Sequence, residues 1–240
     1  MSLIVAVHVH EGIVMASDRR STLVKTEMAE GVQRELIGAH ITNTTEKTFL
    51  CPNGMGISTC GAGTINREPI TGFIQSFIRE EVDKTTPVSQ IPSKLIKYFS
   101  AFNPVPETHF IIAGYESVGG LVKRAVKQKV FRIAVVENEI EEIDTNLQGA
   151  TWDGEIMTLT RLLKPMAVPV NNNLYKDLPP QDVLWEFFTL QEAVDFARFA
   201  VETTINTMRF VNVVETVGGS VDILVITPTE AKWLQHEELR

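Results

Sequence analysis

The first strand-forming segment of this chain begins at its third residue. Leu3-Ile-Val-Ala-Val-His-Val9 is followed by the turn pair Glu11-Gly12, and Gly12-Ile-Val-Met-Ala-Ser-Asp18 makes a second run of the same kind. Two such runs around a glycine turn predict an antiparallel hairpin over Leu3–His10 and Gly12–Asp18. A strand set so close to the first amino group raises a question about Ser2. Either the residue is simply early in the chain, or it is a group that needs to stand at a chain end.

The rest of the chain supplies partners for that hairpin. Residues 19–46 are mostly polar and predict a long loop or an irregular hairpin. Thr48–Leu50 and Gly56–Cys60 read as short strands around the turn Cys51-Pro-Asn-Gly54. Gly61-Ala-Gly63 opens a helix over Thr64–Val82, where Ile65, Ile70, Phe73, Ile74, Phe77, Ile78 and Val82 recur at helical spacing. A second helix covers Pro92–Phe102 and is stopped by Pro104 and Pro106. Strands follow at His109–Tyr115, Lys129–Glu137 and Glu139–Asp144, with the basic run Lys123–Lys129 as a solvated hairpin flank. Asp153–Leu163 reads as a helix, Pro165–Pro180 as a proline- and asparagine-rich connector, and Leu190–Met208 as a strong helix. Val221–Thr227 and Glu230–Leu234 close the chain as a strand pair. Hairpin-like links between strands favour antiparallel sheets over crossovers. The expectation is an α+β chain forming one domain over residues 1–240, with two sheets in the middle and helices on both outer faces.

Composition removes several classes of function. A formal charge of −8 argues against nucleic-acid binding, which depends on cations that neutralise phosphates. No apolar run approaches the roughly 18 residues that a membrane helix needs. Cys51 and Cys60 are the only cysteines and lack metal-type spacing, which suggests a reduced, cytoplasmic protein. No phosphate loop, nucleophile elbow or zinc-protease helix motif is present. His8 and His10 alternate on one strand without a third ligand nearby, so neither metal nor cofactor is expected. Cys60 reads as a buried structural thiol. Trp185, Phe187, Phe188, Phe196 and Phe199 read as helix core, and Glu137, Glu139, Glu141 and Glu142 as a solvated hairpin tip.

The N-terminus remains. Ser2 is small enough for Met1 to be removed during synthesis, which would leave Ser2 with a free α-amine. Such an amine has a pKa near ~8 and can act as a base. A hydroxyl activated by its own α-amine is an established form of nucleophilic catalysis, and it needs a rigidly placed strand start.

These residues resemble a family. Ser2–Thr22 is similar to the opening of proteasome β-type subunits and of the bacterial ATP-dependent protease of that fold. These are N-terminal-nucleophile hydrolases. Asp18 follows Ser2 by sixteen positions and opens Asp18-Arg19-Arg20-Ser21-Thr22, which matches the family's D-x-R-x-T pattern. Lys47 in EKTFLCPNG takes the place of the family's lysine, and Gly61 follows it by fourteen positions. IIAGYE (111–116) and GGSVDILVITP (218–228) resemble two further strands of the family. The resemblance implies a four-layer αββα sandwich and a peptidase subunit working inside a homo-oligomeric ring. Peptide or unfolded protein would be the substrate, and an ATP-dependent unfoldase a partner by analogy. It assigns Ser2, Asp18 and Lys47 to catalysis, and Gly61, Thr22, Arg20 and Thr151 to the oxyanion or the substrate. The family's supporting Asp and Ser fall on or near Val214 and Val217, with Asn212, Glu215 and Thr216 close but out of register. A non-catalytic scaffold subunit and an amidase acting on a small amide are the competing expectations.

Overall fold

A computed structural model of the protein describes residues 2–29, 32–118, 125–171, 174–179 and 182–237. Its strands and helices are β1 (Leu3–Val9), β2 (Gly12–Asp18), β3 (Ser21–Ala29), β4 (Val32–Thr42), β5 (Thr48–Leu50), β6 (Gly56–Gly61), β7 (Thr64–Ile65), β8 (Glu68–Pro69), α1 (Ile70–Glu81), α2 (Ile91–Phe99), β9 (Thr108–Val118), β10 (Ala125–Ala134), β11 (Glu139–Glu142), β12 (Gly149–Gly154), α3 (Met157–Leu163), β13 (Ala167–Asn171), β14 (Leu174–Asp177), α4 (Leu190–Met208), β15 (Val221–Ile226) and β16 (Ala231–Gln235). The result is α+β, with four α-helices among the described residues. One five-stranded sheet runs β12-β1-β2-β15-β16 and the other β11-β10-β9-β6-β5. Every pairing in both is antiparallel.

Side-chain alternation along the strands explains how three apolar cores form. In β1, Leu3, Val5, Val7 and Val9 pack with Leu159 of α3 and with Ala193, Ala197 and Val201 of α4. The other parity, Ile4 and Ala6, packs against Cys60, Ile111, Ala113 and Val130 of the second sheet. In β9 the same rule sends Phe110 and Ile112 toward Ile74 and Phe77 of α1 and Leu95 and Phe99 of α2, while Ile111 and Ala113 face the first sheet. Strands buried on both faces read as nearly continuous apolar runs, and in β1 only His8 departs from that rule. Burying one large aliphatic side chain contributes about 1.5–3 kcal/mol, so β1 alone anchors its strand firmly in the interior.

Several boundaries differ from the sequence expectation, each for a local reason. The helix expected from Thr64 starts at Ile70, because Asn66 and Arg67 take positive φ (51° and 72°) and close a tight hairpin between β7 and β8. The helix expected from Asp153 starts at Met157, since β12 continues to Gly154, whose φ is 93°. Residues 19–46 contain the β3–β4 hairpin, with a register shift between Leu23 and Val24. The 165–180 connector contains a second hairpin, β13–β14, exposed along its length. Residues 172, 173 and 180 of that connector, and Lys123 and Arg124 of the basic run, lie outside the described residues. The helix Leu190–Met208 is as expected, opened by a capping box in which Thr189 and Glu192 bond reciprocally.

One buried ion pair ties β15 to the turn after β2. Arg19 Nη1 lies 2.9 Å from Asp222 Oδ2, and both side chains are buried. Removing one partner of such a pair strands the other charge in the interior. Asp222→Ala is expected to cost about 3–5 kcal/mol, read as a lowered midpoint of chemical denaturation.

Candidate active site

Asp18 ends β2 with its carboxylate fully buried. An ion in that position needs every lone pair engaged, and four donors converge on it. The Leu3 backbone N–H donates to Oδ1 at 3.0 Å, and Lys47 Nζ donates to the same oxygen at 2.7 Å. The Arg20 and Gly218 N–H groups donate to Oδ2 at 3.0 and 2.9 Å. Lys47 donates further to the Arg20 carbonyl. Because Leu3 N–H and the Lys47 ammonium share one oxygen, the cation stands beside the peptide that joins Ser2 to Leu3. Burial pushes the Lys47 pKa down, and the charge and hydrogen bond of Asp18 pull it partly back.

Ser2, Lys47, Thr22, Cys60 and Gly61 line one cleft at the mouth of the two sheets. Its cavity of about 30 Å³ has room for a couple of waters. Gly61 has φ 99°, and a Cβ there would come within 2.4 Å of the Glu107 carbonyl oxygen, so only glycine fits. Successive N–H groups along a strand point to alternate sides. Thr59 N–H donates to the Lys47 carbonyl and Ala62 N–H to the Glu107 carbonyl. The Gly61 N–H is therefore turned to the Lys47 side, past the end of β5 and into the cleft.

Other residues expected at the site have different surroundings. Thr22 lines the cleft and donates its hydroxyl to the Glu215 carbonyl at 3.3 Å. The Arg20 side chain turns away to Asn43 (2.8 Å) and Glu215 (2.6 Å). Its place against Gly218, where a Cβ would meet the guanidinium at 2.4 Å, makes it a brace rather than a cleft wall. Thr151 is not brought to Ser2. It sits in β12 opposite Ala6, four residues along β1 and so about 13 Å away.

The residues that do meet Ser2 from that strand are Gly154 and Glu155. The Glu155 N–H donates to the Ser2 carbonyl at 2.8 Å, and a Cβ on Gly154 would overlap the Ser2 oxygen at 1.8 Å. The Asp153-Gly154 turn pair was the sequence signal for this contact. The Gly218 N–H on Asp18 could be suspected only from the Gly218-Gly219 pair. Near the last strands, Val217 is buried against α4, Val214 is exposed, and Thr216 is buried with its hydroxyl near Met208 Sδ.

No protein-family model matches the chain, and no curated protein matches it. Solved structures do. The chain is similar to a Gly-1 mutant of Anbu from Hyphomicrobium sp. strain MC1, with a TM-score of 0.61 and 14% identity over 99% of this chain and 89% of that one. It is similar to Anbu from the same strain at 0.57 and 16%, over 98% and 88%. It is also similar to Anbu (ancestral beta-subunit) from Yersinia bercovieri at 0.55 and 13%, again over 98% and 88%. The chain has a proteasome-like fold, matched over nearly its whole length.

The Asp18–Lys47 pair makes a prediction with a definite sign. Folded Lys47 releases its proton below its ordinary value of 10.5, so between the two values the unfolded chain holds more protons. Stability therefore rises with pH between the folded value and 10.5. Lys47→Met is expected to flatten this rise in the denaturation free energy. Asp18→Asn, which leaves Lys47 buried without its counter-ion, is expected to destabilise by about 3–5 kcal/mol in the same measurement.

Proposed function

We propose that this chain is a proteasome-like peptidase subunit that uses Ser2 as an N-terminal nucleophile. The observation carrying this reading is the shared Asp18 oxygen that sets the Lys47 ammonium beside the start of β1, in the cleft that also holds Ser2 and Gly61. The three cores in sequence, helix–sheet, sheet–sheet and sheet–helix, support a four-layer αββα sandwich and one domain across the chain.

The chemistry follows from the geometry. With Met1 removed, the Ser2 α-amine takes the Ser2 Oγ proton, directly or through a cleft water, and Oγ attacks the peptide carbonyl. Lys47 lowers the energy of the developing alkoxide, and Asp18 holds the lysine and balances its charge. The Gly61 N–H donates to the oxyanion, a contribution worth about 3 kcal/mol for a single donor. The amine then protonates the leaving group, an acyl-Ser2 ester remains, and water hydrolyses it. With a residue still attached ahead of Ser2, its nitrogen is an amide and the sequence cannot start.

Substrates would be peptide or unfolded protein in the cytoplasm. No helix among the described residues is long and apolar enough to cross a membrane. Assembly into a homo-oligomeric ring is supported by exposed apolar surface. Val170, Leu174 and Tyr175 are exposed on the β13–β14 hairpin, and Met157, Leu162, Val211 and Val213 line a cavity between α3 and the end of α4. An ATP-dependent unfoldase is a partner by analogy with the family. Valine at positions 214 and 217, where the family carries polar support, favours a second reading in which the subunit is a non-catalytic scaffold of the same fold.

One experiment separates the two. Intact mass of untagged protein is expected to show loss of Met1 and a single adduct from an epoxyketone or a β-lactone. Ser2→Ala is expected to abolish the adduct while the assembly elutes unchanged in sizing. Retained Met1 with no adduct selects the scaffold, and dissociation of Ser2→Ala assigns Ser2 a structural role.

A further inference from the structure

Cys60 and His109 are direct cross-strand partners in β6 and β9, so their side chains leave the second sheet on the same face. Asp153 approaches from β12, the edge strand of the other sheet, where it pairs with Ile4. One donor atom from each of the three lies within 4.8 Å of the others. His109 Nδ1 is 3.2 and 3.1 Å from the two Asp153 oxygens. A tetrahedral zinc ion with bonds of about 2.0–2.3 Å needs donors roughly 3.3–3.8 Å apart. The His109–Asp153 contact needs to open only by a few tenths of an ångström, and the thiol needs to close by about 1.5 Å at most.

We propose that Cys60, His109 and Asp153 bind a divalent metal ion of borderline softness, zinc in the first place, clasping the two sheets together beside the Ser2 cleft. One thiolate, one imidazole and one carboxylate form the donor set such ions prefer to hard cations like magnesium. The thiol proton passes to solvent as the metal–sulfur bond forms, and water from the partly exposed His109 side fills the fourth position. Without a metal, Cys60 makes a poor nucleophile, because burial holds its thiol well above its ordinary pKa. A cysteine–histidine–aspartate catalytic triad is therefore the weaker reading of the same three residues. Arg132 lies 3.7 Å from Asp153 and 3.2 Å from Glu141, so the ion would take over part of the neutralisation of Asp153 while Glu141 keeps the arginine. Asp153 also accepts the Gly154 N–H at 2.6 Å, and Gly154 packs on the Ser2 carbonyl. The clasp would thus stiffen the strand end that grips Ser2.

The test is a cobalt(II) titration of the purified full chain, with absorbance as the readout. Wild-type protein is expected to bind one equivalent, with visible bands of tetrahedral cobalt and an ultraviolet sulfur-to-cobalt charge-transfer band, all displaced by zinc. Cys60→Ser should lose the charge-transfer band, and Cys51→Ser should keep it. His109→Ala and Asp153→Asn should weaken binding by at least about tenfold, with folding checked by circular dichroism. Absence of the charge-transfer band in the wild type overturns the proposal even if every variant misfolds. So does a band that survives in Cys60→Ser, which would mark adventitious binding. The outcome is independent of the peptidase reading, because an unreactive Ser2 leaves the cobalt spectrum as it is.

Discussion

The Asp18 carboxylate is the constraint on which the rest of the structure depends. A fully buried anion without partners would cost more than the stability of most domains. Here its four donors come from the start of β1, the turn after β2, the residue before β5 and the loop before β15. Segments some two hundred residues apart are thereby fixed to one pair of oxygens. A displaced donor would leave both the anion and itself unsatisfied in the interior, so the arrangement tolerates little drift. This is the physical reason that Lys47 and the Ser2–Leu3 peptide, far apart in sequence, keep a fixed geometry.

The facing sheets determine where that geometry opens. Along β1 the parity of Ile4 and Ala6 points toward the second sheet, and Ser2 continues that parity to the sheet mouth. The two sheets pack tightly against each other at glycines. A Cβ on Gly56 would press on Met15 Sδ at 2.4 Å, and one on Gly154 would come within 3.2 Å of the Cys60 Cβ. The sheet–sheet core thus ends in a narrow polar slot rather than an open groove, and Ser2, Lys47 and Gly61 share its walls.

The long apolar elements were legible in the sequence because a single period dominates them. β1, β2 and α4 stand where their patterns predict, α4 with a capping box that the sequence spells out as Thr189 and Glu192. The family resemblance singled out Asp18, Lys47 and Gly61, and the structure sets Lys47 on Asp18 and Gly61 in the cleft beside Ser2. What escaped were features made by backbone conformation or by contacts across layers. Nothing in Asn66-Arg67 announces two successive positive φ values, since arginine seldom adopts one. The β13–β14 hairpin is hidden by Pro169 and by the bulge that accommodates it. The resemblance points to Thr151, yet the register of β12 against β1 brings Gly154 and Glu155 to Ser2 instead. Cys60, His109 and Asp153 are 49 and 44 residues apart in the chain. Only sheet pairing and stacking bring them together.

The tripeptide Asp18-Arg19-Arg20 shows how charge can be packed around such a slot without an electrostatic penalty spreading through it. Three successive side chains leave the end of β2 in different directions, and each finds an opposite charge: Asp18 with Lys47, Arg19 with Asp222, and Arg20 with Glu215. Asp222 lies within β15 and Glu215 just before it, so two of the three pairs bind the C-terminal strands to the N-terminal ones. The backbone reinforces the link, since Arg19 N–H donates to the Gly218 carbonyl while Gly218 N–H donates to Asp18. Each pair is neutral as a unit, which confines its field. A like-sized charge inserted anywhere in this tripeptide's surroundings would disturb all three pairs at once, because they share one turn of backbone. Arg20 is therefore better understood as a strut for the turn than as a group for holding substrate.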